Sequence, residues 1–291
     1  MLDSQVRDSS EATFETLTEK EFAERRQAEG VRVIHHGGHY WEQIGAPGFF
    51  QPVHLLARLK PEEATRPTPL SWGYRAALTP EAAGAANGTV PVVKLSNLES
   101  YDLNSLSSNR RNKLRKCQRL VRIVQLTGPA LLLEQGYELV VDALSRTQHK
   151  KIPTRERYHS DAKRYFRGKH WCVLAGLIDG KLGGYLDGHV VDGIAYGLNA
   201  YYASWALPTN ISTGLIFEFA QICRRLAKVH TLVGGLDSRE APKLNQFKDD
   251  LGYVVEHVPI KWDMNPLAQA FIRWQRPHAY YRLTGSAADP N

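Results

Sequence analysis

Residues 171–202 read WCVLAGLIDGKLGGYLDGHVVDGIAYGLNAYY, and the fold turns on this stretch. Trp171 to Ile178 is apolar and β-compatible, and Asp179-Gly180 is a strong two-residue hairpin turn. Lys181 to Val190 returns as a second strand, Asp192-Gly193 turns again, and Ile194 to Tyr202 forms a third. Three strands joined by tight turns predict an antiparallel meander. On the second strand Tyr185, Asp187 and His189 alternate and so share a face. On the third, Asn199 and Tyr201 point to one side and Tyr202 to the other.

Downstream, Leu207-Pro208-Thr209-Asn210 breaks the chain and Ser212 to Lys228 predicts a long helix. Leu215, Phe219, Ile222 and Leu226 line one face with Ile216 and Cys223 beside them, a surface wide enough to lie against a sheet. A short strand (Thr231 to Leu236), a helix (Glu240 to Asp250, ending at Gly252) and a closing strand (Tyr253 to Trp262) follow. Upstream, helices are expected at Glu134 to Gln148 and around Tyr158 to Phe166. Between Asp102 and Glu134 there is no acidic residue, while Arg110, Arg111, Lys113, Arg115, Lys116, Arg119 and Arg122 all fall there. Ser107 or Ser108 caps this basic helix, whose apolar stripe runs Leu103, Leu106, Leu114, Cys117, Val121. Arg110 lies on that stripe, and a guanidinium on a packing face needs a partner or an anion.

Nearer the N-terminus, Thr18 and Glu21 make a capping box, Leu17 and Phe22 can staple it, and Gly30 ends the helix. Val31 to Ile34 reads as a strand. The rest, up to about residue 100, reads as irregular, with Tyr40, Trp41, Phe49, Phe50, Trp72 and Tyr74 scattered through it and a loop at Thr79 to Val90. His35-His36-Gly37-Gly38-His39 invites a metal, yet the paired glycines disfavour a helix that would align His35 with His39, and no metal is expected. Near the C-terminus Arg273, Trp274, Arg276, Tyr280, Tyr281 and Arg282 interleave basic and aromatic types. That pattern suits an RNA-binding surface or a terminal helix docking its aromatics on the core.

The chain has 291 residues, 43% hydrophobic and 23% charged, the composition of a globular protein. No apolar run approaches the roughly 20 residues of a membrane-spanning helix, and Met1-Leu2-Asp3-Ser4 opens no secretory signal. Cys117, Cys172 and Cys223 are far apart and read as reduced core thiols of a cytoplasmic protein. A formal charge of +7 and a pI near 9.2 favour an anionic partner.

From Leu103 onward the order of elements resembles the GNAT fold, an α/β (α+β type) architecture with a mixed, largely antiparallel central sheet flanked by helices. Four strings resemble the FemAB-like acyltransferases in particular. Ser108-Asn109-Arg110-Arg111-Asn112-Lys113-Leu114-Arg115-Lys116 looks like the basic helix opening their transferase domains, and Asp179-Gly180-Lys181-Leu182-Gly183-Gly184 like their first hairpin. Asn199-Ala200-Tyr201-Tyr202, then Pro208 and the helix from Ser212, looks like their central strand running into the cofactor-side helix. Leu236-Asp237, with Leu244-Asn245-Gln246-Phe247-Lys248 and Leu251-Gly252, looks like their terminal aspartate and Phe-Lys helix. The Gln/Arg-x-x-Gly-x-Gly/Ala phosphate loop common among GNAT acetyltransferases has no counterpart, since Leu207 to Gly214 holds a single glycine. The division expected on this basis is a peripheral segment (1–30), an accessory or reduced GNAT-like subdomain (31–100), a GNAT-like acyltransferase domain (101–265), and a C-terminal helix and tail (266–291).

The resemblance implies an N-acyltransferase that moves an acyl group from acyl-CoA to a small amine by direct transfer. The alternatives are a FemAB-like transferase using aminoacyl-tRNA on a cell-wall precursor or similar acceptor, and a non-catalytic RNA-binding module. It implies that Lys248 holds the developing oxyanion or a substrate phosphate, with Phe247 packed inward. The residues themselves suggest Tyr202 as an acid for the leaving group, and Asp187 with His189 as a route for the amine's proton, unless that column is a solvated sheet face. Ser212, Thr213 and Gly214 at a helix N-terminus, with Asn199, suit the cofactor, unless Asn210 or Ser212 caps the helix. Arg110, Arg111 and Asp237 are candidates for substrate binding.

Overall fold

The computed structural model describes residues 5–45, 47–147, 151–238 and 240–286. In chain order the first elements are β1 (Val6–Asp8), α1 (Glu19–Ala28), β2 (Val33–His36), β3 (His39–Gln43), β4 (Phe49–Pro52), β5 (Arg58–Leu59), β6 (Gly73–Leu78) and β7 (Gly88–Leu95). Next come α2 (Ser108–Leu120), β8 (Arg122–Leu126), α3 (Tyr137–Thr147), α4 (Arg155–Arg164), β9 (Cys172–Ile178), β10 (Lys181–Val191) and β11 (Ile194–Tyr202). The chain closes with α5 (Ile211–Arg225), β12 (Thr231–Leu236), α6 (Pro242–Asp249), β13 (Val254–Met264), α7 (Pro266–Gln275) and α8 (Pro277–Thr284).

These elements form two compact units, neither continuous in sequence. One comprises residues 1–16, 95–234 and 248–253; the other comprises 17–94, 235–247 and 254–291. The boundaries drawn from composition at 30, 100 and 265 cut across both, because β13 pairs with strands far earlier in the chain.

In the first unit the strands lie in the order β1-β8-β9-β10-β11-β12. The meander forms as expected. Asp179 and Gly180 have φ of 49° and 78°, and Asp192 and Gly193 have 46° and 76°. Positive φ at both central residues defines the hairpin turns whose twist matches that of their strands. Helix α5 lies on one face of the meander, seated on glycines. A Cβ on Gly176 would come 2.6 Å from Ile211 Cδ1, and one on Gly188 would come 2.4 Å from Phe219 Cζ. Ser107 caps α2, accepting from the Arg110 amide at 3.3 Å. Cys117, Cys172 and Cys223 are free and buried, and burial pushes the Cys117 thiol up to about 11.

The second unit corrects the reading of residues 31–100 as irregular. Its strands run β7-β13-β6-β4-β3-β2, with β5 beside β6. Trp41, Phe50, Leu59, Tyr74 and Leu78 form a buried cluster on them. Where a loop was expected at Thr79 to Val90 there is a 3-10 turn (Pro80–Ala85) leading into β7. Short strands separated by Gly and Pro carry too little period-2 signal to read locally, since their pairing is remote in sequence. The capping box of Thr18 and Glu21 is present. Gly37 and Gly38 turn β2 into β3 with φ of 59° and 82°. His39 then meets two carboxylates distant in sequence, Glu19 at 3.0 Å and Glu63 at 3.6 Å. Donating a hydrogen bond to Glu19 raises its pKa above the ordinary histidine value. Among the described residues no His, Cys, Asp and Glu cluster is arranged to hold a metal, and no helix is long and apolar enough to cross a membrane.

Candidate active site

The distinctive feature of the first unit is where β11 leaves its neighbour. β11 pairs in parallel with β12 at Ile194↔Thr231, Ala195↔Leu232 and Tyr196↔Val233, and beyond these the two strands share no further pair among the described residues. On its other side β11 stays with β10 as far as Tyr202↔Gly184, with a register shift. Asn199 faces Asp187 while Gly197 faces Gly188, so Leu198 is bulged out and exposed. A bulge bends the strand that carries it. The parting therefore begins at Gly197. Along Gly197–Tyr202 every second backbone amide and carbonyl points away from β10, into the gap.

The N-terminus of α5 lies at the end of the same strand connection. Asn210 stands at the cap position in a left-handed conformation (φ 60°, ψ 31°), but its side chain caps nothing. The Thr213 and Gly214 amides reach the Asn210 carbonyl at 3.0 and 3.3 Å. The Ile211 and Ser212 amides have no backbone acceptor among the described residues. The expectation of an ordinary side-chain cap is thus overturned, and the first turn keeps open donors at the positive end of the helix dipole.

Arg110 brings a cation to that turn. Its Nη1 lies 3.4 Å from Thr213 Oγ1, and its Nε and Nη2 contact Asp250 Oδ2 at 3.2 and 3.1 Å. The inward guanidinium on the apolar stripe of α2 has found its partner. Arg111 is engaged otherwise, donating to the Leu106 carbonyl at 3.0 Å. Gly214 packs against α2, since a Cβ there would lie 2.4 Å from Cys117 Sγ. Ser212 remains half-buried on the first turn and Thr213 is buried.

The predicted catalytic residues fall on opposite faces of the meander. Tyr202 lies on the α5 face, its ring against Gly184, where a Cβ would stand 2.9 Å from Tyr202 Cδ1. Its hydroxyl is buried with no hydrogen-bond partner among the described residues, and burial holds its pKa well above the ordinary phenol range, so it remains a neutral donor. Tyr253 stands in the same neighbourhood, its ring 2.7 Å from where a Gly234 Cβ would be, on the residue that follows the last β11–β12 pair. The Tyr253 amide bonds to the Lys248 carbonyl at 3.1 Å, and Gly252 (φ 85°) to the Asp249 carbonyl at 2.8 Å. This pair of bonds is the Schellman ending of a helix. It closes the last turn of α6, on which Lys248 is half-buried.

Tyr185, Asp187 and His189 share the other face as predicted, but they are buried, which overturns the solvated-face reading. Asp187 accepts the Tyr165 hydroxyl at 3.0 Å and the Asn199 amide at 3.1 Å. Burial, and then the Asp187 charge, push the Tyr165 hydroxyl far above its ordinary pKa. His189 packs between Trp171 and Tyr196 at ring distances of 4.9 and 5.5 Å. Asn199, expected at the cofactor, is thus committed to Asp187 on the face away from α5. Tyr165 and Asp250 were not foreseen. The placement of Arg110 on an apolar stripe signalled the need for a residue like Asp250, whereas nothing local signals Tyr165. Asp237 and Phe247 fall in the second unit, where the Asp237 amide donates to the Pro91 carbonyl at 2.8 Å.

This architecture is GNAT-like, with a mostly antiparallel sheet flanked by helices and a central strand that parts from its parallel neighbour. Among solved structures it is similar to FemX, with a TM-score of 0.60 and 8% identity over 90% of this chain and 100% of that one. It is also similar to the C-terminal domain of a candidate lysylphosphatidylglycerol synthetase from Agrobacterium fabrum, with a TM-score of 0.59 and 12% identity over 92% and 98% of the two chains. The corresponding figures for L-PGS from Bacillus licheniformis are 0.56 and 10%, over 93% of each chain. At the level of fold these bear out the resemblance to the FemAB-like branch. No family model and no curated protein matches the sequence.

Proposed function

We propose that the protein is an N-acyltransferase that moves an acyl group from a CoA thioester directly to an amine. The observation that carries this reading is the parting of β11 from β12 after Tyr196, beside an uncapped α5. Acyl transfer needs donors aimed at the oxygen where negative charge develops, and strand amides released from a ladder are fixed donors that need no reorganisation. The electropositive first turn of α5, with Arg110 beside Thr213, suits the phosphates of the donor. Tyr202 supplies the proton for the leaving thiolate, having a buried hydroxyl that meets no acceptor among the described residues. Lys248, half-buried on the last turn of α6, is the residue we assign to stabilise the oxyanion. On the other face Asp187, with Tyr165 at 3.0 Å, accepts the proton that the ammonium must lose.

A second reading replaces the thioester with aminoacyl-tRNA. It is favoured by α2 and its flank, where Arg115, Lys116, Arg119 and Arg122 are exposed and the segment from 103 to 133 has no acidic residue. The fold shared with FemX and with lysylphosphatidylglycerol synthetase domains supports transfer chemistry for either donor.

The two readings separate by thermal shift. A CoA thioester at 100 times its dissociation constant should stabilise the protein by about 2.7 kcal/mol, and the shift should shrink in Arg110→Ala. Stabilisation by aminoacyl-tRNA alone, lost on charge reversal of Arg115 and Arg119, would select the second reading. Binding of RNA without any transfer to an amine would leave an RNA-binding module.

A further inference from the structure

Helix α7 is apolar on the wrong side. Asn265 caps it, accepting from the Leu267 amide at 2.9 Å, and Pro266 opens it. At 100° per residue Ala268, Gln269 and Ile272 fall on one arc, and these are its half-buried residues, with Gln269 donating to the Tyr280 hydroxyl at 3.0 Å. Leu267, Ala270, Phe271 and Trp274 fall on the opposite arc, where a surface helix should be polar. Leu267, Phe271 and Trp274 are 82%, 59% and 77% exposed. The aromatic tail expected to dock on the core does so only through Tyr280 and Tyr281, which α8 buries.

We propose that α7 is an interfacial anchor that lies in the headgroup layer of an anionic lipid membrane. Three properties favour that occupant. Tryptophan, phenylalanine and leucine on one arc of a short helix are the side chains that partition into the boundary between headgroups and acyl chains. The flanks are cationic: Arg273 is exposed at one edge of the arc and Arg276 just past the end of the helix, and no acidic residue occurs from Met264 to Ala288. An anionic surface attracts such a segment. Finally, the three side chains offer on the order of 400 Å² of apolar surface, about half of the roughly 800 Å² per partner that a stable protein complex buries. A membrane needs no such area, because each side chain inserts on its own.

The test is flotation of the purified full chain with vesicles of neutral lipid alone and of neutral plus anionic lipid. The wild type should float with the anionic vesicles, and added salt should weaken the association. The pair Leu267→Ala and Trp274→Ala should lose at least tenfold in partitioning without a change in melting temperature, since both side chains face outward. Arg273→Gln with Arg276→Gln should weaken binding to anionic vesicles and abolish its salt dependence. No flotation of the wild type on anionic vesicles would overturn the proposal. So would a wild-type dimer in light scattering that Trp274→Ala converts to monomer, which would assign the face to a second copy of the chain.

Discussion

Tyr202 makes the opposite prediction about stability from that of an ordinary core residue. The Tyr202 hydroxyl is buried without a partner among the described residues, so its removal in Tyr202→Phe should leave the melting temperature unchanged or slightly higher. If the hydroxyl protonates the leaving group, kcat should still fall about 100-fold, a split that a packing role cannot produce. Lys248→Met should abolish transfer while circular dichroism stays as in the wild type. Arg110→Ala differs, because it strands Asp250 and Thr213 in a partly buried cluster. It should cost about 2 kcal/mol of unfolding free energy, and Asp250→Asn in the same chain should restore part of it. The sequence showed that Arg110 needed a partner, because a guanidinium on an apolar stripe is anomalous by itself. It could not show Asp250, which lies in the turn after α6, 140 residues away in sequence.

Between elements, the crossing of α2 and α5 is a tight constraint. Gly214 leaves no room for a side chain against Cys117, with 2.4 Å from a built Cβ to the sulfur. Gly214→Ala should therefore destabilise by about 2 kcal/mol, and Cys117→Ala in the same chain should relieve the strain; urea unfolding of the two variants checks both. The meander was legible because Asp-Gly turns and β-compatible runs are local signals, and both turns adopt the positive φ that the dipeptide permits. The bulge at Leu198 and the early parting of β11 were not legible. They depend on register between strands, which the string Gly197-Leu198-Asn199 does not encode by itself. The strands of 31–100 escaped notice for the same reason, each being four to eight residues or fewer and paired to a remote segment.

At the scale of the whole molecule, β13 carries the lesson. It was read as the closing strand of one domain, yet it pairs with β6 and β7 of the second unit, so the chain returns to an early segment to finish it. That unit has its own pH response. The His39 pKa is raised, chiefly by its hydrogen bond to Glu19 and in part by Glu63, so its pairing stabilises the folded state below the unfolded value of about 6.5. That contribution is lost as pH rises through the folded pKa. Melting temperature should fall over that window in the wild type, and His39→Gln should flatten the fall. The account of the first unit rests on the gap between β11 and β12 as the seat of the acyl group. A crystal structure with a non-transferable thioether analogue of acyl-CoA tests it most directly. The account predicts the analogue's carbonyl oxygen within hydrogen-bond reach of a backbone amide between Gly197 and Tyr202, its sulfur beside the Tyr202 hydroxyl, and its phosphates over the first turn of α5. A structure in which β11 and β12 stay paired past Tyr196 and Val233, or in which the analogue binds away from that gap, would contradict it.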